Sequence, residues 1–157
     1  MKYYLLLLIP FIMSCEDSVN LDVNKDLSIH YSFRDSSVPP RYHRSYDITI
    51  TSTNAHIVVK SYGNKLADEN YEVKKEAFNN LIETINNAEL VSGSVEAEPG
   101  CTGGTGESLI MKEEKIQVYK GTIDNCGGTT IPTTFGEIEK VVEAIKAFVP
   151  NLAELLE

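Results

Sequence analysis

Cysteine and histidine are scarce in this sequence, with three of each among 157 residues. So few cysteines exclude a dense disulfide scaffold, and so few ligands of either kind argue against a structural zinc site. Positive charge is also in short supply, because 14 lysines and arginines stand against 23 acidic residues, a formal net charge of −9. A nucleic-acid binder needs clustered lysine and arginine to hold phosphates, so no nucleic-acid partner is expected.

The local motifs of common enzyme classes are missing as well. The sequence contains no HExxH, no GxSxG, no CxxC and no Walker P-loop. Charged residues make up 24% and hydrophobic residues 42%, which is typical of a folded globular chain of one domain. We therefore expect a protein that is not an enzyme and that uses no cofactor and no metal ion. A small hydrolase whose site is assembled from distant residues stays open as an alternative.

The first residues have the layout of a secretory signal peptide. Lys2 supplies a positive charge, residues 5–13 are apolar apart from Pro10, and the small Ser14 precedes Cys15. The apolar stretch is too short to span a bilayer, which takes about 20 residues. A buried N-terminal strand with a core cysteine is the alternative interpretation.

The ending Ile12-Met13-Ser14-Cys15 resembles the lipobox of bacterial lipoproteins. The resemblance implies that residues 1–14 are removed and that Cys15 becomes an acylated N-terminus, anchored by two or three chains. Residues 15–26 then form the lipidated cysteine with a polar tether, and residues 27–157 form a single domain. Glu16-Asp17 resembles the sorting signals of Bacteroidota surface lipoproteins, which implies the outer membrane and leaves open whether the protein faces the periplasm or the cell exterior.

Hydrophobic periodicity predicts the elements of the domain. Alternation predicts a strand at residues 27–34, a hairpin of strands at residues 46–51 and 56–62, and a second hairpin at residues 108–111 and 115–120. The polar residues 63–71 and the Gly/Thr-rich residues on either side of the second hairpin are interpreted as loops.

Apolar residues at three- and four-residue steps predict amphipathic helices at residues 72–88 and 138–149, the second ended by Pro150. Thr134 and Glu137 have the spacing of a capping box at the start of that second helix, and residues 152–156 are predicted to form a short final turn. The expected fold is α+β, an antiparallel sheet of about five strands with the two amphipathic helices packed on one face.

Two cysteines remain inside the domain, Cys101 and Cys126, and an exported compartment permits them to form a disulfide. A two-residue turn at Glu113-Glu114 would set Met111 opposite Ile116 and Leu109 opposite Val118. The same register, continued, sets Cys101 opposite Cys126 at a distance that suits a disulfide. A catalytic thiol and a metal site are the alternatives for these cysteines.

Two exposed loops are candidates for partner contact. The glycine-rich runs beside the cysteines lack the Walker lysine and precede a strand, so we do not expect them to bind a nucleotide. They either permit a tight chain crossing or form a rigid binding loop, whose candidate residues are Thr102, Gly103, Gly104, Thr105, Gly127, Gly128, Thr129 and Thr130.

The three arginines of the sequence all lie within residues 34–44, interleaved with Tyr42 and His43. Arg41, His43 and Arg44 are candidate contacts for an acidic protein or an anionic glycan, and a solvated loop balanced by neighbouring acids is the alternative.

The order of these elements resembles small lipoprotein domains of Bacteroidota whose function is unknown. The resemblance rests on the layout of residues 27–150 and on the Cys-Thr-Gly-Gly-Thr-Gly run that begins at Cys101. The predicted function is a non-enzymatic binding module, of which a hydrolase inhibitor is one form, anchored to the outer membrane and directed at a protein or a glycan. A purely structural envelope protein is a further alternative.

Overall fold

The computed structural model describes residues 18–93 and 103–157 and has an α+β fold. Its main sheet consists of β1 (Leu27–Arg34), β2 (Ser45–Ile50), β3 (Asn54–Ser61), β4 (Asn64–Glu72), β6 (Thr105–Glu113), β7 (Ile116–Cys126) and β8 (Thr129–Pro132). The spatial order is β4-β3-β2-β1-β6-β7-β8, and every neighbouring pair is antiparallel. The short strands β5 (Val91–Ser92) and β9 (Thr134–Phe135) pair separately, and the helices are α1 (Lys75–Asn87), α2 (Ile138–Lys146) and α3 (Leu152–Leu155).

One face of the main sheet is buried because the apolar residues of its central strands alternate with polar ones. Ile29 and Tyr31 of β1 stand beside Ile48 and Ile50 of β2 in the ladder, and all four are fully or almost fully buried. They belong to one hydrophobic cluster with buried side chains of the helices, which include Phe78, Leu81, Ile82 and Ile85 of α1 and Val141, Val142 and Ile145 of α2. Removing this apolar surface from water is the main force that holds the domain together.

The antiparallel ladders give the sheet two distinct ends, which we name the Leu27 end and the Arg34 end. At the Leu27 end β1 begins, β6 ends and β7 begins, since Leu27 pairs with Glu113 and Glu113 pairs with Ile116. At the Arg34 end β1 ends, β2 begins and β6 begins. Strand β1 has eight residues, so the two ends lie about 25 Å apart along the strand direction.

The sheet has more strands than the five expected, because polar segments interpreted as loops pair at its edges. Residues 63–71 belong largely to the outermost strand, β4, whose side chains are mostly exposed. Charged residues are common on edge strands, where they discourage pairing with another chain, and they hide the alternation that reveals a strand. On the opposite side, Thr129–Pro132 forms the edge strand β8.

The predicted register of the β6–β7 hairpin is wrong. The turn residues are Glu114 and Lys115, both with positive φ, and Met111 pairs with Tyr119 instead of Ile116. A bulge beside Met111 leaves Val118 without a ladder partner, so Tyr119 faces the core while Ile116 and Val118 are exposed. Leu109 accordingly pairs with Gly121.

This register removes the geometric reason for placing Cys101 opposite Cys126. The observed β6–β7 ladder ends with Thr105 opposite Asn125, and Cys126 pairs with Thr129 of β8. Cys101 lies outside the described residues. Cys126 is disulfide-bonded. Its pairing with Cys101 stays a prediction, based on the exported compartment and on the even number of cysteines in the domain.

The predicted capping box at Thr134 and Glu137 does not form. Thr134 belongs to β9 and its hydroxyl is hydrogen-bonded to the Tyr119 hydroxyl, while Glu137 occupies the N-cap position of α2 without a side-chain cap bond. The Thr134 hydroxyl is therefore bonded to Tyr119 and caps no backbone amide of α2. The predicted short turn at the C-terminus is confirmed as α3.

Residues 18–26, predicted as part of a tether, lie on the body of the domain. The Val19 amide donates to the Leu90 carbonyl (2.8 Å), and both the amide and the carbonyl of Leu21 are hydrogen-bonded to the Asn86 side chain. Leu21 is 4% exposed and belongs to the core. Lys25 pairs with Glu113 at 2.7 Å. The described N-terminal segment is therefore held against the domain by backbone, side-chain and apolar contacts.

Candidate functional site

The fold brings the two predicted contact loops to the same end of the sheet. The arginine loop, residues 35–44, connects β1 to β2 at the Arg34 end. The glycine-rich residues before β6 and the two-residue turn Gly127-Gly128 between β7 and β8 lie at that end too, because β6 and β8 begin there and β7 ends there. Residues far apart in sequence thus share one edge of the domain.

An ion pair links the two groups of loops. Arg34 Nη2 lies 2.7 Å from Asp124 Oδ1, across the strand position of Gly106. A Cβ atom at Gly106 would lie 2.5 Å from Arg34 Nη2, so the absence of a side chain allows the pair to close. Both partners are largely exposed to solvent, so the pair orients the surface more than it stabilises the fold.

The arginine loop is held in one conformation by its own hydrogen bonds. The Asp35 carboxylate accepts from the amides of Ser36 and Arg44, each at 2.8 Å, and so closes the two ends of the loop. The middle of the loop is held by the turn between β3 and β4, since Ser61 Oγ donates to the Pro40 carbonyl at 2.9 Å and the Tyr62 hydroxyl donates to the Val38 carbonyl. The loop therefore has little conformational freedom to lose when a partner binds.

The three predicted contacts of this loop have different surroundings. His43 is only 7% exposed and stacks on Tyr62, so we no longer count it as a contact residue. Arg44 donates to the backbone oxygens of His43 and Glu157 and thereby fastens the loop to the C-terminal segment. Arg41 is exposed and lies over the ring of Tyr42 at 4.4 Å.

Arg41 shares this part of the surface with two exposed aromatic side chains. Tyr42 is 60% exposed and Tyr62 is 55% exposed. We name Arg41, Tyr42 and Tyr62 the aromatic–arginine surface. Tyr62 was not among the predicted contacts, because it was interpreted as the last residue of a strand and not as part of a turn. The following Gly63, with φ +86°, is the signal that a turn begins there.

The glycine-rich contacts lie at the same end of the sheet but on its other side, since β2, β1 and β6 separate the β3–β4 turn from the β7–β8 turn. Gly127 and Gly128 both have positive φ and make the two-residue turn that joins β7 to β8, with open space where their Cβ atoms would lie. Asn125 braces the turn, since its side chain accepts from Thr130 at 2.9 Å and donates to Thr105 at 3.3 Å. Gly103 and Thr129 are exposed, and Gly104 and Thr105 are half-buried. Thr102 lies outside the described residues.

The polar face of the sheet carries a separate cluster made of a serine, a histidine and an aspartate. Ser32 Oγ lies 2.6 Å from Asp47 Oδ1 and 3.0 Å from His30 Nε2, and His30 Nδ1 lies 2.9 Å from Thr49 Oγ1. Lys60 donates to the other carboxylate oxygen of Asp47 at 2.8 Å. Partial burial alone raises the pKa of Asp47, but the hydrogen bonds from Lys60 and Ser32 outweigh it and leave the pKa below its ordinary value.

The proton arrangement in this cluster does not activate the serine. The short contact with a carboxylate assigns the single hydroxyl proton of Ser32 to Asp47. His30 must then present Nε2–H to the serine oxygen, whereas a general base needs an unprotonated nitrogen there. Aspartate also bonds to the serine and not to the histidine Nδ1, which Thr49 occupies. The cluster thus has the residue types of a hydrolase triad in a different order of hydrogen bonds.

Two tyrosines of the fold have pKa values that are raised by burial and by structural partners. The Tyr31 hydroxyl donates to Glu107 at 2.7 Å, and burial followed by this hydrogen bond raises the pKa of Tyr31. Burial and a hydrogen bond to Glu69 raise the pKa of Tyr71 to about 12. Within residues 18–93 and 103–157 there is no group of three potential metal ligands and no helix long and apolar enough to cross a membrane.

Comparison with known proteins returned no matching family model, no matching curated protein and no matching solved structure.

Proposed function

We propose that the protein is a non-enzymatic binding module of the bacterial outer membrane, anchored by lipid at Cys15, that holds a protein or a glycan at its Arg34 end. The aromatic–arginine surface supports this proposal most directly. Tyrosine and arginine are the residue types that dominate binding energy at interfaces, because they combine a large contact area with directional hydrogen bonds. The loop beneath them is already fixed by hydrogen bonds to Asp35, Ser61 and Tyr62.

The arginines give the Arg34 end a positive charge on a chain that is acidic as a whole. Removal of residues 1–14 takes away Lys2 and no acid, so the mature chain has 13 basic and 23 acidic residues. All three arginines nevertheless lie at the Arg34 end. A partner with carboxylate or sulfate groups would find there the three guanidinium groups of the chain, which can form bidentate hydrogen bonds to such anions.

The described N-terminal segment reaches β1 at the Leu27 end, whereas the proposed binding surface lies at the Arg34 end. The chain enters β1 at Leu27, and the aromatic–arginine surface follows the far end of that strand. We further infer that α1 and α2 cover the same face of the sheet. Support comes from Ile138 and Val142 of α2, which line a small cavity together with Tyr31 and Leu109 of the sheet.

The alternative of an envelope hydrolase would use Ser32, His30 and Asp47, because their contacts bring a hydroxyl, an imidazole and a carboxylate together. Their hydrogen-bond order argues against it. A structural envelope protein is the remaining alternative, and it would need neither of these clusters.

The test compares capture of envelope proteins and binding to an array of anionic glycans by the wild-type chain and by Arg41→Ala and Tyr42→Ala. Phe135→Ala is the matched control, since Phe135 is equally exposed but lies in β9, away from the arginine loop. We expect one partner or glycan class to be bound by the wild type and the control, and bound about tenfold or more weakly by each loop variant. Equal binding by all four proteins would contradict the proposed surface, and turnover of an ester or peptide substrate that is abolished in Ser32→Ala would favour the hydrolase.

A separate measurement tests the anchor. Mass spectrometry of the mature protein from its native membrane should show a chain that begins at Cys15 and carries acyl groups. A chain that still begins at Met1 would contradict the anchor and leave the binding surface to be judged on its own.

A further inference from the structure

The connection between the predicted lipid and the folded domain is very short. Val19 is fixed by its hydrogen bond to Leu90, and only residues 16–18 separate it from Cys15. Four extended residues span at most about 14 Å. The headgroup layer itself takes up about 5–8 Å on each side of the hydrocarbon core. A domain anchored through Cys15 therefore cannot stand clear of the membrane surface.

The side of the domain that this connection brings to the membrane carries exposed apolar residues. Residues 18–20 and 90–92 line a groove of about 360 Å³ together with Glu113, Val118 and Tyr119. Val118 at its wall is 43% exposed, and Ile116, the ladder partner of Glu113, is 69% exposed. The turn that presents Val23, itself 41% exposed, is held to the same Glu113 by Asp22 and Lys25.

We propose that Val23, Ile116 and Val118 form a membrane-facing surface that contacts the lipid headgroups and upper acyl chains beside the anchor. The inference rests on the proposed acylation of Cys15 and adds the orientation of the domain. It explains why two apolar side chains of β7 are left outside the core at the end of the sheet where the chain enters. It also directs the aromatic–arginine surface away from the bilayer, since that surface lies at the opposite end of the strands.

The balance of charge at the Leu27 end indicates that the domain depends on its acyl chains to bind the membrane. The acidic groups Asp22, Glu113 and Glu114 stand close to the lysines Lys25 and Lys115, so the surface carries no excess of positive charge that would attract anionic lipids. Three partly exposed aliphatic side chains are too few for stable membrane binding without acyl chains. The surface thus orients a domain that the lipid already holds.

The sequence provides a clean reporter for this orientation, because it contains no tryptophan. The experiment places Ile116→Trp in the acylated, full-length mature protein, in vesicles of phosphatidylethanolamine and phosphatidylglycerol with and without brominated acyl chains. Val118→Trp is a second variant in case the first one disturbs the hairpin. Tyr42→Trp is the matched control, an exposed position at the Arg34 end.

We expect brominated lipid to quench the indole at position 116 or 118 and to leave the indole at position 42 unquenched. If the protein carries acyl groups and floats with the vesicles but the indoles at 116 and 118 are quenched no more than the one at 42, the membrane-facing surface is wrong while the anchor stands. A protein without acyl groups overturns both the anchor and this inference.

Discussion

The ring of His43 stacks on the ring of Tyr62, with the centroids 4.2 Å apart and the planes inclined by 27°. This contact joins the arginine loop to the turn between β3 and β4. Tyr62 also donates a hydrogen bond to the Val38 carbonyl, so a single side chain holds the loop at two points. The stack explains why a histidine that the sequence places in a polar loop is buried.

Replacing Tyr62 should loosen the arginine loop in two separable steps. Tyr62→Phe removes the hydrogen bond and keeps the stack, and we expect it to cost about 1 kcal/mol. Tyr62→Ala removes both, and a stacked ring pair adds about 0.5–1.5 kcal/mol to that loss. Hydrogen exchange of the amides of residues 40–44, together with urea unfolding, measures the two effects. Equal exchange in both variants would show that the stack does not order the loop.

The central strands of the fold could be predicted from sequence because they have one buried face. In β1, Leu27, Ile29 and Tyr31 are buried and the residues between them are not, which is the alternation that the prediction used. Strand β4 could not be predicted in this way, since both of its faces are largely exposed and only its backbone pairing with β3 makes it a strand. Its pairing depends on a partner that local sequence does not reveal.

The hairpin error has a different cause: the turn lies one residue later than expected, at Glu114-Lys115, which shifts the register by two residues, and the bulge beside Met111 shifts it by one more. Pairing Met111 with Ile116 makes both faces of the hairpin look consistent in sequence. The observed pairing of Met111 with Tyr119 buries a larger side chain, whose hydroxyl finds a buried partner in Thr134. That partner arrives from a segment 15 residues further along the chain, and local patterning cannot anticipate it.

The candidate site was predicted as two unrelated loops, and the sheet register is what brings them together. Arg34 and Asp124 are 90 residues apart in sequence, and they pair because β6 lies between β1 and β7. The sequence shows that the three arginines are clustered. It could not distinguish the exposed Arg41 from Arg44, whose guanidinium is occupied by backbone oxygens.

The polar cluster on the sheet should make stability depend on pH through Asp47. Hydrogen bonds from Lys60 and Ser32 outweigh the opposing effect of partial burial and keep the pKa of this carboxyl low in the folded protein. A carboxyl with a lowered pKa stabilises the fold above its unfolded pKa of about 3.9, and the contribution disappears as pH falls through the folded value. We expect Asp47→Asn to cost about 1 kcal/mol at neutral pH and much less at pH values of about 2–3.

Urea unfolding at both pH values checks this prediction, with the exposed Asp26→Asn as the control. The wild type and the control should lose stability in parallel on acidification, and the Asp47 variant should lose less. A stability difference between wild type and Asp47→Asn that stays constant with pH would show that the hydrogen-bond geometry matters and the charge does not.

The N-terminal segment should contribute measurably to folding, in contrast to a free tether. Leu21 is buried in the core, so Leu21→Ala should destabilise the domain by about 2–4 kcal/mol. Val23→Ala, two residues away at an exposed position, should change stability by less than about 0.5 kcal/mol. Thermal or urea unfolding of the two variants measures this difference. Equal stabilities of Leu21→Ala and Val23→Ala would show that residues 18–26 do not pack on the domain in solution.

Residues that favour positive φ should stabilise the protein when they replace the two residues of the β6–β7 turn. Glu114 and Lys115 have φ values of 49° and 71°, a conformation that costs ordinary residues about 1–2 kcal/mol each. The double change Glu114→Asn and Lys115→Gly should therefore raise the free energy of unfolding by about 1 kcal/mol, since Asn-Gly suits a two-residue hairpin turn. The backbone bond from the Glu114 amide to the Asp26 carbonyl needs no side chain and should persist. The control is Lys112→Gly, in the β6 ladder where no positive φ is needed, and it should lower the free energy of unfolding. A turn variant that is also less stable than the wild type in urea unfolding would contradict the positive φ of Glu114 and Lys115.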